Sequence, residues 1–332
     1  MVGWRASLVP LALVSLFAST VSFSDERALR GMYDNLGGDQ VDGYQTVTTL
    51  SGRAPDIWGV DFGFSTVPNE HVDLRPTILP KAQTLYAQGA TAVTLSWHEC
   101  NPAGQGIRTW IPEPEPCTFT SQLIDTNNDG VTDTWTNSVM SSLTNAQWSA
   151  LLTDGTPLNL RWKHEIDKIA ALLKQLRAAG IPVLFRPYHE PNIPGFWWAD
   201  MTVPDHFTAL WRQLRTYLEQ THGLTDLTWV WSVSYHPTYW WRVAEFYPGD
   251  DVVDVVGLDI YPPTQDGMPD FADCWNTLRT FVPTKPIALT EISRLPSDDE
   301  LQQRPWAYVV PWGKTMLFRD NTNERIAQFF AE

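Results

Sequence analysis

Short apolar runs alternate with amphipathic helical patterns along most of the chain, and polar or aromatic residues follow several of these runs. Runs of this length predict buried strands, and their alternation with helices predicts parallel βαβ units. The predicted strands cover residues 44–49, 57–62, 90–97, 181–187, 227–232, 252–260, 285–291 and 306–312. The predicted helices cover residues 27–36, 80–88, 161–179, 205–221, 271–281 and the stretch from 323 onward. Eight such strands indicate an α/β fold, a (β/α)8 TIM barrel in a single domain, with the polar strand ends on one face.

Composition narrows the class of partner. The chain has 332 residues, which suits either one barrel of about 250 residues with additions or two ordinary domains, and neither a linker nor a repeat favours two. A formal charge of −15 argues against nucleic acid and anionic membrane surfaces as partners. Seventeen Trp residues favour a carbohydrate partner, because flat sugar faces stack on aromatic rings.

The N-terminus has the pattern of a signal peptide. Arg5 supplies the positive end, residues 8–17 the apolar run, and small residues up to Ser24 a cleavage zone. We expect residues 1–24 to be removed by cleavage near Ser22 or Ser24, and residues 25–332 to form the exported catalytic domain. No later stretch is long and apolar enough to span a bilayer.

The three cysteines fit an oxidising compartment. Cys100 and Cys117 lie close in sequence and are the expected disulfide. Cys274 lies in a helical pattern and is expected to be a buried thiol; a reactive cysteine is the alternative, but it has no basic neighbour to activate it.

A long insertion, residues 100–160, follows the third predicted strand. Connections of this length in a compact domain usually have a function. The insertion contains the spacing of a calcium loop with Gly130 at the turn, although Thr136 stands where the last acidic ligand would be. The expected ligands of a structural Ca²⁺ are Asp125, Asn127, Asp129 and Asp133. The alternative is an acidic surface turn.

Two carboxylates follow predicted strands: Glu190 after the fourth and Glu291 at the end of the seventh. Cleavage of a glycosidic bond needs an acid that protonates the leaving oxygen and a second carboxylate that acts as nucleophile or base. Strand ends of a barrel converge on one face even when they are far apart in sequence. The pair therefore indicates a glycosidase.

Five sequence blocks then carry a family resemblance. They are S-W-H-E-C-N-P, R-P-Y-H-E-P-N with F-W-W, W-V-W-S, Y-P-G-D-D-V-V-D-V-V-G-L-D-I-Y and K-P-I-A-L-T-E. In this order they resemble glycoside hydrolase family 26, whose members are mainly retaining endo-β-1,4-mannanases with a barrel fold. The resemblance covers residues 58–312. It implies a β-mannan or a related plant or algal polysaccharide as the partner.

The resemblance also implies roles for individual residues. Glu190 matches the acid/base and Glu291 the nucleophile, while Arg186 and Tyr261 match the residues that pair with the nucleophile. Chemistry agrees, because a guanidinium and a hydroxyl favour an ionised Glu291, whereas Glu190 needs a less compensated site to stay protonated. Arg186 could instead serve only to tie two strands together.

Other residues are expected to bind the substrate. His189 matches the histidine that contacts the sugar next to the scissile bond, and Trp312 resembles the aromatic platform beneath that sugar. The remaining residues expected around the cleft are Trp97, His98, Asn192, Phe196, Trp197 and Asp259. Trp197 or Trp198 could be partly core. Catalysis is expected to need no cofactor, and the protein is expected to be a monomer.

The chain departs from the family pattern beside the acid. Pro191 follows Glu190, and Gly195 stands where the family commonly has a cleft Trp. An endo-β-1,3-xylanase or a mixed-linkage β-glucanase of the same family is therefore the alternative activity. A carbohydrate-binding barrel without catalysis is the alternative from another class, and the presence of both carboxylates argues against it.

Overall fold

A computed structural model describes residues 21–23, 27–35, 42–63, 72–104, 117–121, 123–124, 134–135, 137–261 and 271–332. The central element is a closed barrel of eight parallel strands that pair in chain order, with the last strand pairing with the first. The barrel strands are β1 (Leu29–Asp34), β2 (Ile57–Asp61), β3 (Ala92–Trp97), β8 (Val183–Pro187), β9 (Thr228–Ser234), β10 (Val255–Ile260), β11 (Ile287–Ile292) and β12 (Trp306–Pro311). The predicted (β/α)8 barrel is confirmed.

Helices surround the barrel. They are α1 (Gly43–Ser51), α2 (Ile78–Ala87), α3 (Asn145–Leu152), α4 (Pro157–Ala178), α5 (Pro204–Gln220), α6 (Phe271–Arg279), α7 (Asp298–Gln302), α8 (Lys314–Asp320) and α9 (Asn323–Ala331). The described residues also contain two 3₁₀ helices, Val72–Thr77 and Trp240–Phe246. Within the described ranges, none of the helices combines the length and the apolar character needed to cross a membrane.

The helix α4 shows how sequence pattern becomes packing. The predicted apolar face, Ile166, Ile169, Leu172, Leu173 and Leu176, is buried. The helix begins earlier than predicted, at Pro157, because the hydroxyl of Thr156 accepts a hydrogen bond from the N–H of Asn159 at 3.2 Å.

The first barrel strand corrects two predictions. Residues 27–36 were expected to contain a helix and 44–49 a strand, but the structure has β1 at Leu29–Asp34 and α1 at Gly43–Ser51. The strand is buried and paired on both sides, and a Cβ at Gly31 would come 2.7 Å from Val310 Cγ2. The threonines of α1 are accommodated because the hydroxyls of Thr46 and Thr48 donate to carbonyls four residues earlier, at 2.6 and 2.7 Å. Tertiary burial has outweighed local propensity.

Apolar side chains, both small and large, pack in the barrel interior. Val230, Val255, Ala288 and Tyr308 belong to this inner cluster. Val21 and Phe23 pack against it, with the Phe23 and Tyr308 ring centroids 6.0 Å apart. The interior is thus a packed core, and the open site must lie at the strand ends.

The insertion after β3 forms its own small structure. It contains β4 (Cys117–Thr120), β5 (Leu123–Ile124), β6 (Thr134–Trp135) and β7 (Asn137–Met140). β4 and β7 are parallel partners, and the Cys100–Cys117 disulfide, with Cα atoms 6.3 Å apart, ties β4 to the end of β3. Cys274 is buried, as expected. The predicted calcium ligands Asp125, Asn127, Asp129 and Asp133 lie outside the described residues.

Candidate active site

Three carboxylates meet at the C-terminal end of the barrel. Glu190 follows β8, Asp259 lies in β10 and Glu291 in β11, where Asp259 and Glu291 are register partners. One carboxylate oxygen of each lies within 4.8 Å of one from the others. The sequence predicts Glu190 and Glu291 at strand ends and Asp259 near the cleft, and the structure brings all three together.

Glu291 is held by two donors. Arg186 Nη2 is paired with Glu291 Oε1, and the Tyr261 hydroxyl donates to Oε2 at 2.7 Å. Burial and then the charge of Glu291 raise the pKa of Tyr261 well above its usual value, so this hydroxyl keeps its proton. His189 Nε2 lies 3.9 Å from Oε1. The carboxylate is 5% exposed and is fixed through both oxygens.

Arg186 is itself held by hydrogen bonds to two buried residues, Asp259 and Ser232. Its Nη1 donates to Asp259 Oδ2 at 3.1 Å and to Ser232 Oγ at 3.2 Å. Asp259 accepts 2.6 Å hydrogen bonds from Ser232 and Thr290. Burial alone would lower the pKa of Arg186, but the charges of Glu291 and Asp259 outweigh it and raise that pKa. Arg186 therefore stays charged between two acids.

Asp259 is not an ordinary ionised aspartate. Burial raises its pKa to about 7; the charge of Arg186 opposes the shift, and that of Glu291 adds to it. Asp259 accepts hydrogen bonds from Ser232, Thr290 and Arg186, so its role is to orient the guanidinium of Arg186.

Glu190 has the opposite environment from Glu291. The residue is partly exposed, but its carboxyl group is enclosed by protein atoms, and this burial, followed by the charges of Asp259 and Glu291, raises its pKa well above the usual range. Such a carboxyl keeps its proton at a pH where an ordinary Glu has lost it. One of the two acids is thus an ion-paired carboxylate and the other a proton donor.

The backbone that carries Glu190 is strained. Tyr188 has φ 49° and Glu190 φ 54°, a region that costs non-glycine residues free energy. Three hydrogen bonds secure the loop: Glu190 N–H to Ser232 O at 2.9 Å, Trp198 Nε1 to His189 O at 2.8 Å, and Asn192 Nδ2 to Ser234 O at 2.7 Å. Asn192 is fully buried, so it positions the acid's loop.

Two histidine rings line the site. His98 and His189 lie edge to face with centroids 4.3 Å apart. Burial, followed by the charges of Arg186 and His98, holds the pKa of His189 well below its usual value. His98 Nδ1 lies 2.9 Å from Asp61 Oδ2, which also accepts from Ser96 at 2.6 Å. Burial by itself would raise the pKa of Asp61, but His98 and the hydrogen bonds lower it to about 2.

The predicted aromatic residues fall into two groups. Trp312 is partly exposed, with Tyr33 stacked on it at 3.8 Å, and Phe196 stacks on Trp198 at 4.5 Å. Trp97 and Trp197 are each 1% exposed, so neither ring has a face open to a sugar. This corrects the expectation that they bind substrate. The presence of several tryptophans in the sequence does not reveal which of their rings turn inward.

Trp197 instead supports the wall of the site. Its Nε1 donates to the Glu99 carbonyl at 2.8 Å. The Glu99 side chain accepts from Tyr188, whose hydroxyl also accepts from Trp162 Nε1 at 2.8 Å. Burial raises the pKa of Glu99 well above its usual value, although the Tyr188 hydrogen bond opposes this.

Sequence reasoning missed this buried support. Four buried residues of the site were not expected from the sequence: Asp61, Glu99, Ser232 and Thr290. Asp61 could have been found, because it lies one residue before the end of the predicted strand 57–62, much as Glu291 ends its own. Ser232 and Thr290 carry no such signal, since a hydroxyl within a strand is common in any barrel.

Comparisons with known proteins agree with this geometry. A family model described as glycosyl hydrolase family 26 matches residues 12–328. The chain is 28% identical over 306 residues to a mannan endo-1,4-beta-mannosidase of Thermothelomyces thermophilus, a match covering 89% of this chain and 57% of that protein. It is 34% identical over 221 residues to a mannan endo-1,4-beta-mannosidase of Bacillus subtilis, covering 64% of this chain and 52% of that protein.

The fold has a solved counterpart. The structure of GH26A from Muricauda sp. MAR_2010_75 superposes with a TM-score of 0.72 at 29% identity, covering 96% of this chain and 91% of that one. The two curated relatives are longer proteins, of which the chain spans little more than half. Because the family model covers nearly the whole sequence, the chain belongs to glycosyl hydrolase family 26.

Proposed function

We propose that the protein is an endo-β-1,4-mannanase that cleaves internal bonds of mannan, galactomannan or glucomannan with retention of configuration. The observation that carries the proposal is the pair Glu190 and Glu291, with carboxylate oxygens within 4.8 Å and opposite environments. The names of the similar proteins from T. thermophilus and B. subtilis support mannan as the substrate.

The first step forms a covalent intermediate. Glu190 gives its proton to the glycosidic oxygen while a Glu291 oxygen attacks the anomeric carbon, so the bond to the leaving sugar breaks as the ester bond forms. Arg186 and Tyr261 hold Glu291 in place for this attack. The leaving sugar departs with the proton from Glu190.

The second step releases the product. Glu190, now a carboxylate, takes a proton from a water molecule that attacks the anomeric carbon, and Glu291 leaves as a carboxylate. Because the charge of Glu291 is one cause of the raised pKa of Glu190, esterification of Glu291 lowers that pKa. The same residue thereby changes from acid to base at the correct moment.

The distance between the two acids supports retention. Retaining enzymes hold their carboxyl groups about 5–5.5 Å apart, and inverting enzymes about 6.5–9.5 Å apart to admit a water. One oxygen of Glu190 lies within 4.8 Å of one oxygen of Glu291, which supports the closer, retaining arrangement. NMR of the first product formed from a mannooligosaccharide should show the β-anomer; an initial α-anomer would rule out this mechanism.

Gly195 keeps the alternative substrates relevant. Without a large side chain at that position, one sugar contact common in the family is missing. A reducing-sugar assay on β-1,4-mannan, β-1,3-xylan and lichenan separates the activities. We expect mannan to be the preferred substrate; faster hydrolysis of either of the others would replace the proposed activity.

We also propose that the enzyme is exported and monomeric and that its chemistry uses no cofactor. The apolar run at residues 8–17 and the Cys100–Cys117 disulfide support export. Arg186 already supplies a positive charge between two of the carboxylates, which supports chemistry without a metal. Activity that survives EDTA, together with a monomer mass by light scattering, is the expected result.

A further inference from the structure

A side chain at Gly195 would be strained by the backbone and crowded by the inserted structure. That residue has φ 138°, and a Cβ built there would lie 2.5 Å from Met140 Cε. Met140 ends β7 and forms a β-bridge with Phe196, and Trp197 N–H donates to Val139 O at 3.1 Å. A larger residue at this position beside the acid would therefore require the Met140 side chain to move.

The same insertion presents an aromatic ring at this place. β4 pairs with β7, and along β4 Cys117 and Thr118 are buried while Phe119 and Thr120 are exposed. Phe119 is 44% exposed, an unusual state for a large apolar side chain. The other exposed large apolar residues of the described chain are Tyr86 in α2, Leu160 in α4 and Trp241 in a 3₁₀ helix.

Phe119 lies next to His98, one of the two histidines that line the site. Its ring centroid lies 6.1 Å from that of His98 and 6.1 Å from that of Phe196. Phe196 in turn lies 5.3 Å from His189, whose Nε2 is 3.9 Å from Glu291 Oε1. A row of neighbouring rings thus runs from Glu291 through His189 and Phe196 to the exposed ring of Phe119.

The position of this ring is fixed by a covalent tie. Cys117 is two residues before Phe119, and its disulfide partner Cys100 is two residues after His98. The ring therefore cannot move far from His98 even though it lies on an insertion. A fixed, exposed aromatic face is what stacking on a sugar requires, because little ordering cost remains to be met on binding.

We propose that Phe119 is the stacking platform for a sugar unit of the substrate chain adjacent to the one held by the catalytic carboxylates. It takes the place of the side chain that Gly195 lacks. The proposal rests on the proposed mannanase function and names a residue that determines chain binding.

The test compares Phe119→Ala, Phe119→Leu and Phe119→Tyr on mannopentaose. We expect KM to rise about tenfold in the Ala and Leu variants with little change in kcat, because stacking is lost equally from ground and transition states. Phe119→Tyr keeps an aromatic face and should stay within about twofold of the unmodified enzyme. Trp241→Ala, at a 75% exposed Trp in a 3₁₀ helix, is the matched control and should leave KM unchanged.

Each outcome is decisive. An unchanged KM in Phe119→Ala, or a Leu variant that binds as well as the Tyr variant, overturns the platform while the mannanase function stands. Absence of mannan hydrolysis by the unmodified protein overturns the proposed function first and the platform with it. Circular dichroism spectra of the variants show whether any loss comes from misfolding, which the exposure of Phe119 makes unexpected.

Discussion

At the scale of single residues, the site assigns two identical functional groups to different tasks through their surroundings. Glu291 accepts hydrogen bonds on both oxygens, from Arg186 and Tyr261, whereas Glu190 lies near two other acids and is shielded from water. An enzyme of this class needs such a difference, because one carboxylate must attack while the other donates a proton.

Glutamine at each position separates the two roles. We expect Glu291→Gln to abolish hydrolysis of every substrate, since no ester can form. Glu190→Gln should lower kcat on mannan by about 10²–10⁴-fold but still form the intermediate from an aryl mannoside whose leaving group needs no proton. Steady-state and burst kinetics measure both. Glu219→Gln, which removes one acid from an ion pair on α5, is the control; a fully active Glu291→Gln enzyme contradicts the assignment.

The raised pKa of Glu190 also has a consequence for stability. In the unfolded chain this carboxyl loses its proton near an ordinary pH of about 4.3, whereas the folded protein keeps it to higher pH. The unfolded state then binds fewer protons, so the free energy of unfolding falls as the pH rises from that value toward the folded pKa. Gln does not ionise and is not subject to this loss.

We therefore expect Glu190→Gln to melt at the same temperature as the unmodified protein near about pH 4 and above it at neutral and alkaline pH. Thermal melts across a pH series measure the difference. A gap that does not depend on pH would show that burial does not penalise the charged form of Glu190.

At the scale of elements, the β1–α1 region shows where local sequence misleads. The threonine-rich stretch at 44–49 has strand propensity and the stretch at 27–36 a helical pattern, yet the barrel imposes the reverse. The other seven strands were predicted because both their faces are buried, so that each begins with an apolar run ahead of any charged residue. β1 contains Arg30 and Asp34, so its apolar signal is interrupted.

Two alanine substitutions distinguish the observed elements from the predicted ones. Gly31→Ala should destabilise the protein by about 1–3 kcal/mol, because the new methyl group meets Val310 and Ile57 inside the sheet. Thr49→Ala, on the exposed face of α1, should stabilise it by roughly 0.5 kcal/mol, since Ala is the better helix former. Urea unfolding measures both; a destabilising Thr49→Ala would favour a strand at this position.

The catalytic acids and most of the residues around them were predictable at this scale as well. Arg186, Glu190, Asp259, Tyr261 and Glu291 all lie at or just after strand ends, and a parallel barrel gathers strand ends on one face. The roles of Trp97 and Trp197 were not predictable, because the direction of each ring depends on contacts between separate segments: Trp97 with Tyr188, and Trp197 with Glu99. The packing of Met140 against Gly195 was also hidden, since it joins segments from two different loops.

At the scale of the whole molecule, the chain combines a closed barrel with an insertion after β3. We propose that the acidic stretch with Asp125, Asn127, Asp129 and Asp133 binds a structural Ca²⁺, on the basis of ligand spacing in the sequence. Calcium should then raise the melting temperature relative to EDTA, and Asp129→Ala should remove the increase. Equal melting temperatures in Ca²⁺ and EDTA would leave an acidic turn as the explanation.

If the proposed signal peptide is removed, the position of the cleavage decides whether the folded protein keeps Phe23. Cleavage after Ser22 would leave this ring at the new N-terminus, in contact with Tyr308 and the barrel interior, whereas cleavage after Ser24 would discard it. We expect the mature protein to begin at Phe23, and a chain that starts at Asp25 to lose about 1–2 kcal/mol of unfolding free energy. N-terminal sequencing of the secreted protein and melts of the two chains test this. A proposed processing step would then also determine whether the Phe23 ring covers the inner cluster beside Tyr308.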